Sequence, residues 1–154
     1  MIKIKFCKKN NFKEVQRFVH LKWKKNHILS KNKKLFNWFY ENKKNYNFII
    51  AKKNERIIGL LGYIKNSHFS KRKNCRDIIW LALWKVDEKQ APPGLGLALL
   101  KKLRDENSKT DIAVIGINSL HPPLYRRLNF EVNQMDHFYM INPYLKKFKV
   151  IKFK

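Results

Sequence analysis

Ala91-Pro92-Pro93-Gly94-Leu95-Gly96 is the first place in this chain where residue type and spacing suggest chemistry. The run separates the longest apolar stretch, 78–86 (IIWLALWKV), from residues 94–106, whose apolar positions recur with helical spacing. A turn that ends a strand and opens a helix presents backbone N–H groups and the positive end of the helix dipole, an arrangement suited to a pyrophosphate. Glycine at such a turn lets an anion approach the backbone closely. The same residues also read as a plain tight turn that packs a helix on a sheet. The motif alone leaves both readings open.

A second set follows downstream: Asn118, His121, Tyr125, then Leu128-Asn129-Phe130. A tyrosine phenol can protonate a leaving group, and a histidine can take up a proton near neutrality. The alternative is structural. Tyr125 would then anchor a core edge, and His121 would cap a short helix that has Pro122 and Pro123 in its first turn. Carboxylates are scarce around these positions: between Asp77 and Asp87 there is none.

The elements that must position these residues can be read along the chain. Ile2, Ile4 and Phe6 alternate with lysines, which predicts a half-buried strand. Asn11 with Glu14 predicts a capping box and a helix to about residue 25, its apolar face built from Phe12, Val15, Phe18, Val19 and Trp23. A second short helix is expected over 33–41. Residues 46–51 and 56–64, joined by the KKNE turn at 52–55, predict an antiparallel hairpin. Residues 65–76 are polar and basic and predict a loop. Residues 78–86 predict a central strand, 94–106 a helix, 111–117 a buried strand and 122–128 a short helix. Asn129 stands where a left-handed C-cap is expected. Residues 130–132 and 137–141 predict two closing strands, and 145–154 a basic tail. The expected order is β-α-α-β-β-β-α-β-α-β-β: a mixed, mostly antiparallel α/β sheet flanked by helices.

With both motifs on their elements, the chain resembles the GCN5-related N-acetyltransferase (GNAT) family. That family has an R/Q-x-x-G-x-G/A turn after its fourth strand, where the sheet splits, and a later N-x-x-A-x-x-L-Y-x-x-x-G-F pattern. Asn118-Ser119-Leu120-His121-Pro122-Pro123-Leu124-Tyr125-Arg126-Arg127-Leu128-Asn129-Phe130 resembles the second pattern, and the element order is similar along nearly the whole chain. The resemblance implies one acyltransferase-like domain over 1–154, splayed central strands and acetyl-CoA as cosubstrate. Backbone near Trp84 and Val86 would pair with the pantetheine arm. The turn Ala91–Gly96, through the N–H groups of Gly94, Leu95 and Gly96, would meet the pyrophosphate. Asn118 would contact the cofactor arm, and Tyr125 would protonate the departing thiolate. His121 is the histidine available as base, with an ordered water or a deprotonated acceptor amine as the alternative.

The sequence departs from that pattern in places. Ala91 fills the R/Q position, and Pro92 and Pro93 have no N–H to donate. Lys101, Lys102 and the overall charge are the candidates to compensate. Asn129 replaces a glycine but tolerates the same left-handed backbone. The aromatic run 35–40 (LFNWFY) lies where the family's second helix borders the acceptor, and it also reads as core. It loosely resembles acyltransferases that modify amino sugars of bacterial surface polysaccharides, so a nucleotide-linked amino sugar is the expected acceptor.

Composition limits the alternatives. The chain has 154 residues, which predicts one domain, and 44% are hydrophobic, enough to build a core. No apolar run approaches the ~18 residues of a membrane span. The start, MIKIKFCKKN, does not look like a secretory signal. Cys7 and Cys75 suggest neither a disulfide framework nor a metal site, so a reduced, cytoplasmic setting is expected. Thirty-five Lys+Arg against 11 Asp+Glu give a net charge of +24. Such a field attracts polyanions, although a Lys/Asn-rich composition is equally the product of an AT-rich genome. The competing function is a basic, non-enzymatic nucleic-acid-binding module. Its aromatics fall at helical core spacing, and no RNA-binding motif is present, so it is the less favoured reading. An acetyltransferase acting on an RNA-associated protein joins the two.

Overall fold

The computed structural model describes residues 1–70 and 76–136 together with 138, 140 and 144. The chain divides into two compact units, Met1–Gly116 and Ile117–Lys154.

The first unit is a sheet with helices on both faces. Its strands are β1 (Ile2–Lys8), β2 (Glu41–Asn42), β3 (Asn45–Lys53), β4 (Arg56–Lys65), β5 (Ile78–Val86) and β6 (Asp111–Val114). They are ordered β1-β3-β4-β5-β6, with the short β2 also on β3. Every pairing is antiparallel except that of β5 with β6. The β3–β4 turn is tighter than the KKNE segment suggested. Lys53 pairs with Arg56, and Asn54 and Glu55 both take positive φ (49° and 58°), as a two-residue hairpin turn requires.

Helices α1 (Phe12–Phe18), α2 (Ile28–Lys31) and α3 (Lys33–Tyr40) cover one face of the sheet. Their apolar side chains meet Tyr46, Phe48, Ile50, Leu60 and Leu83. The centre of this layer is aromatic: Phe36 stacks on Phe48 with centroids 5.5 Å apart, and Tyr40 lies 4.5 Å from Phe48. Alternation sends the neighbouring strand residues to the other face. There α5 (Leu95–Glu106) buries Leu95, Leu99, Leu100 and Leu103.

Several expectations are corrected. The first helix ends at Phe18 and continues as a π turn, Val19–Trp23. Asn11 does not cap α1 through its side chain; its Oδ1 accepts from the Lys8 N–H at 3.2 Å. Glu14 Oε1 accepts from the Asn11 side-chain amide (3.2 Å), and its Oε2 pairs with buried Lys52 (2.7 Å). Within 65–76, β4 extends through Lys65 and a helical turn, α4 (Asn66–Phe69), follows. β6 stops at Val114 rather than Ile117, because Gly116 takes φ 72° and Ile115 is 61% exposed. It is half-buried rather than buried. Residues 130–132 form no strand. The strand expected over 137–141 and the tail 145–154 fall largely or wholly outside the described residues, as does Cys75. In the second unit α6 (Pro122–Arg127) opens on its prolines, and Asn129 takes φ 60° as expected. Among the described residues no helix is long and apolar enough to cross a membrane.

Gly62 makes the aromatic layer possible. A Cβ there would sit 2.4 Å from Phe48 Cε1. That ring is held by Phe36 and Tyr40 and cannot move away. Gly62→Ala should therefore destabilise the protein by about 1–3 kcal/mol. Urea unfolding would show it as a lower midpoint at unchanged m value.

Candidate functional site

The site begins with the way β5 is paired. Its parallel register with β6 runs from Ile78↔Asp111 to Leu81↔Val114 and ends there. On the other side β5 stays bound to β4 as far as Gly59↔Val86. Between Leu61↔Trp84 and Tyr63↔Leu81, two steps along β4 span three along β5. The extra residue is a β-bulge at Ala82–Leu83, where the pairing with β6 stops. A bulge bends its strand and increases the local twist. Ala82, at the bulge, is exposed in the middle of a strand whose other residues are buried or half-buried. The main-chain edge of Ala82–Val86 that faces away from β4 is therefore not taken by β6, and the strands part at their C-terminal ends as expected.

Immediately beyond lies the glycine turn, anchored by Asp87. This residue is 4% exposed. Its N–H donates to the Ile58 carbonyl (2.8 Å), and its own carbonyl accepts from the Gln90 and Ala91 N–H groups (2.9 and 2.8 Å). Its carboxylate takes Lys22 Nζ at 3.0 Å and the Lys89 N–H at 3.2 Å. A charge buried to this extent requires such partners.

The two glycines of the turn serve different purposes. Gly94 is the N-cap of α5 with φ 80°, and a Cβ there would meet nothing within 4 Å. It is required by backbone conformation, and the space beside it is open. Gly96 has ordinary φ, but a Cβ there would lie 3.3 Å from Trp84 Nε1. It is required so that α5 can approach the half-buried Trp84 indole. Val86 packs at the same level, its Cγ1 3.2 Å from the Cβ position of Gly59.

The supply of N–H donors differs from the expectation. The Leu95 N–H is spent on the Pro92 carbonyl (3.2 Å), and the Ala98 N–H closes the first helical turn onto the Gly94 carbonyl (3.0 Å). Gly94, Gly96 and Leu97 remain as the first-turn donors that have no helical carbonyl before them. Leu97 replaces Leu95 in the donor set. Lys101 and Lys102 do not point charge at the turn. They pair along the helix with Asp105 and Glu106, each at 2.7 Å, about two turns from its start.

In the second unit, the Asn118 side chain folds back on its own loop, its Oδ1 accepting from the Leu120 N–H at 2.9 Å. His121 is the exposed N-cap of α6. It caps through its carbonyl, which accepts from Tyr125 N–H at 3.1 Å, with no side-chain capping bond. Tyr125 is 7% exposed and lies edge-on to Phe130 at 5.2 Å. Burial pushes its phenol above the ordinary range. Asp77 accepts from the Ser67 N–H and hydroxyl (3.0 and 2.8 Å), so its carboxylate is committed to the start of α4. Among the described residues no group of three His, Cys, Asp or Glu side chains could hold a metal ion.

The bulge, the Asp87 anchor and the Gly96–Trp84 approach were not found from sequence. Only Asp87 carried a signal, as the first acid after an apolar strand and before a Gly/Pro turn. Gly94→Ala, strained by its φ, should lose about 1 kcal/mol of stability, and Gly94→Asn less. Gly96→Val should instead displace Trp84, which tryptophan fluorescence and near-UV dichroism would report.

No protein-family model matches this sequence, and no curated protein matches it. Solved structures match its fold. The aminoglycoside N-acetyltransferase AAC(6')-Iy in complex with CoA superposes with a TM-score of 0.69 at 13% identity, over 92% of this chain and 95% of that one. The Naa50 protein of Arabidopsis thaliana, bound to the bisubstrate analogue CoA-Ac-MVNAL, gives 0.64 at 15% identity, covering 92% of each chain. The aminoglycoside acetyltransferase meta-AAC0020 from an uncultured soil metagenomic sample, in complex with sisomicin, gives 0.62 at 14%, over 92% and 97%. The fold is that of the GCN5-related N-acetyltransferases.

Proposed function

We propose that this chain is an acyl-CoA-dependent N-acyltransferase that moves an acetyl group from acetyl-CoA to a primary amine by direct transfer. The observation that carries the reading is the parting of β5 from β6 after Leu81↔Val114, beyond which β5 leads directly into a helix N-terminus headed by a left-handed glycine. An extended arm with amide groups pairs with such an edge as an added strand would. A pyrophosphate suits the N–H groups of Gly94, Gly96 and Leu97. The fold agrees, since AAC(6')-Iy and Naa50 were solved with CoA and a CoA bisubstrate analogue.

In the transfer, the amine nitrogen attacks the thioester carbonyl carbon and a tetrahedral oxyanion forms. Backbone N–H groups of β5 polarise the carbonyl. The C–S bond then breaks, leaving an amide and a thiolate. By the motif carry-over, Tyr125 gives its phenolic proton to that sulfur and recovers one from solvent. The acceptor arrives as the neutral amine, and the N–H proton it loses as the amide forms goes to water. This route needs no carboxylate base, and Asp77 and Asp87 are both engaged elsewhere. His121 stays the alternative acceptor of that proton.

The acceptor follows from charge. A net +24 repels polyamines such as aminoglycosides and attracts an amine carried on an anionic body. A nucleotide-linked amino sugar fits this description. Calorimetry with acetyl-CoA at low and high salt is the test. Saturable one-to-one binding that persists at high salt supports the reading; binding that vanishes with salt reduces the protein to a polyanion sink.

Tyr125→Phe should lower kcat by about 10²-fold or less, since a CoA thiolate is already a fair leaving group, and leave acetyl-CoA affinity unchanged. Because the phenol is shifted upward, it stays protonated throughout the neutral range. The wild-type rate should therefore show no alkaline fall from this group below pH ~10. Single-turnover acetyl transfer, wild type against variant, measures both. Equal rates remove Tyr125 from the chemistry.

A further inference from the structure

The first unit holds a recess that the proposed transfer does not use. It is a cavity of about 360 Å³ between α1, the π turn, the start of β4 and the turn after β5. That volume lies in the range of small-molecule sites, about 300–1,000 Å³. Phe18, Leu21 and Ile57 supply apolar wall, and Arg17, Arg56 and Gln90 supply polar groups. Leu21 belongs to the π turn and is 59% exposed. Such turns recur at functional sites.

The lining carries three acids (Glu14, Glu55, Asp87) and three bases (Arg17, Lys22, Arg56), and the bases differ in how they are paired. Asp87 is neutralised by Lys22 (3.0 Å). Glu14 and Glu55 both face the buried Lys52, at 2.7 and 3.8 Å. Arg17 and Arg56 are left, and among the described residues neither has an ion-pair partner. They stand on different elements, α1 and β4, at the edge of one cavity whose wall is partly apolar and partly charged. Two guanidinium forks around one space match an oxyanion with several acceptor oxygens.

We infer that this recess binds a small organic phosphate monoester. Its phosphate lies between Arg17 and Arg56, its organic part covers Phe18, Leu21 and Ile57, and the Gln90 carboxamide offers it a further hydrogen bond. The inference stands on the recess alone and does not depend on the acetyl transfer.

Calorimetry of the full chain with phenyl phosphate and with inorganic phosphate, at physiological salt, is the experiment. Phenyl phosphate should bind saturably and more tightly than inorganic phosphate. The variant R17Q/R56Q should lose at least ~10-fold in affinity, as expected for charge-assisted hydrogen bonds. The variant K3Q/K5Q removes the same charge from exposed positions on β1 and should bind as the parent does. Both arginines are exposed, so their substitution should leave the fold intact. Equal losses in the two variants, equal binding of the two phosphates, or no saturable binding by the parent would each overturn the inference.

Discussion

Parallel neighbouring strands stay paired only while they advance in step and keep the same direction. In β5 that condition ends at Ala82–Leu83, where an extra residue interrupts the register with β4 and bends the strand. β6 cannot follow, and its own chain turns away at Gly116. Everything assigned to the candidate site depends on this break. It leaves the main chain of Ala82–Val86 without β6 beside it, on the side from which an extended ligand would approach.

The glycine turn is held to that edge by a buried charge as well as by the apolar packing of Leu95. Asp87 ends β5, ties back to β4 through its backbone, collects the next turn with its carbonyl and balances its carboxylate with Lys22 of the π turn. The open space at Gly94 and the close approach at Gly96 follow from it. One glycine is chosen for its dihedral angle and the other for the indole beside it. Substituting either glycine therefore tests a different physical demand, although the two look alike in the sequence.

Much of this was legible in the residues. The run 78–86 is a strand with the expected bounds, α5 starts one residue after Gly94, and Asn129 adopts the left-handed cap that its position implied. What could not be read depends on partners distant in sequence. The bulge exists only in the register of β5 against β4. The spent Leu95 N–H depends on where the Pro92 carbonyl points. Asp87, which the sequence marked only as the end of a stretch without acids, is the anchor of the turn. The apolar pattern of 115–117 suggested strand, yet apolar residues signal burial only where a layer exists to bury them, and Ile115 is exposed. Lys101 and Lys102, read as substitutes for the missing phosphate donors, spend their charge on their own helix.

The central claim is that the β5 edge receives an extended thioester arm. Amide hydrogen exchange with and without acetyl-CoA tests it most directly, because an added strand protects N–H groups that solvent otherwise reaches. The account predicts new protection concentrated in Ala82–Val86 and in the first turn of α5, with little change along β1, the opposite edge of the sheet. Binding of acetyl-CoA with no protection in Ala82–Val86, or with protection spread evenly over the basic surface, would contradict it.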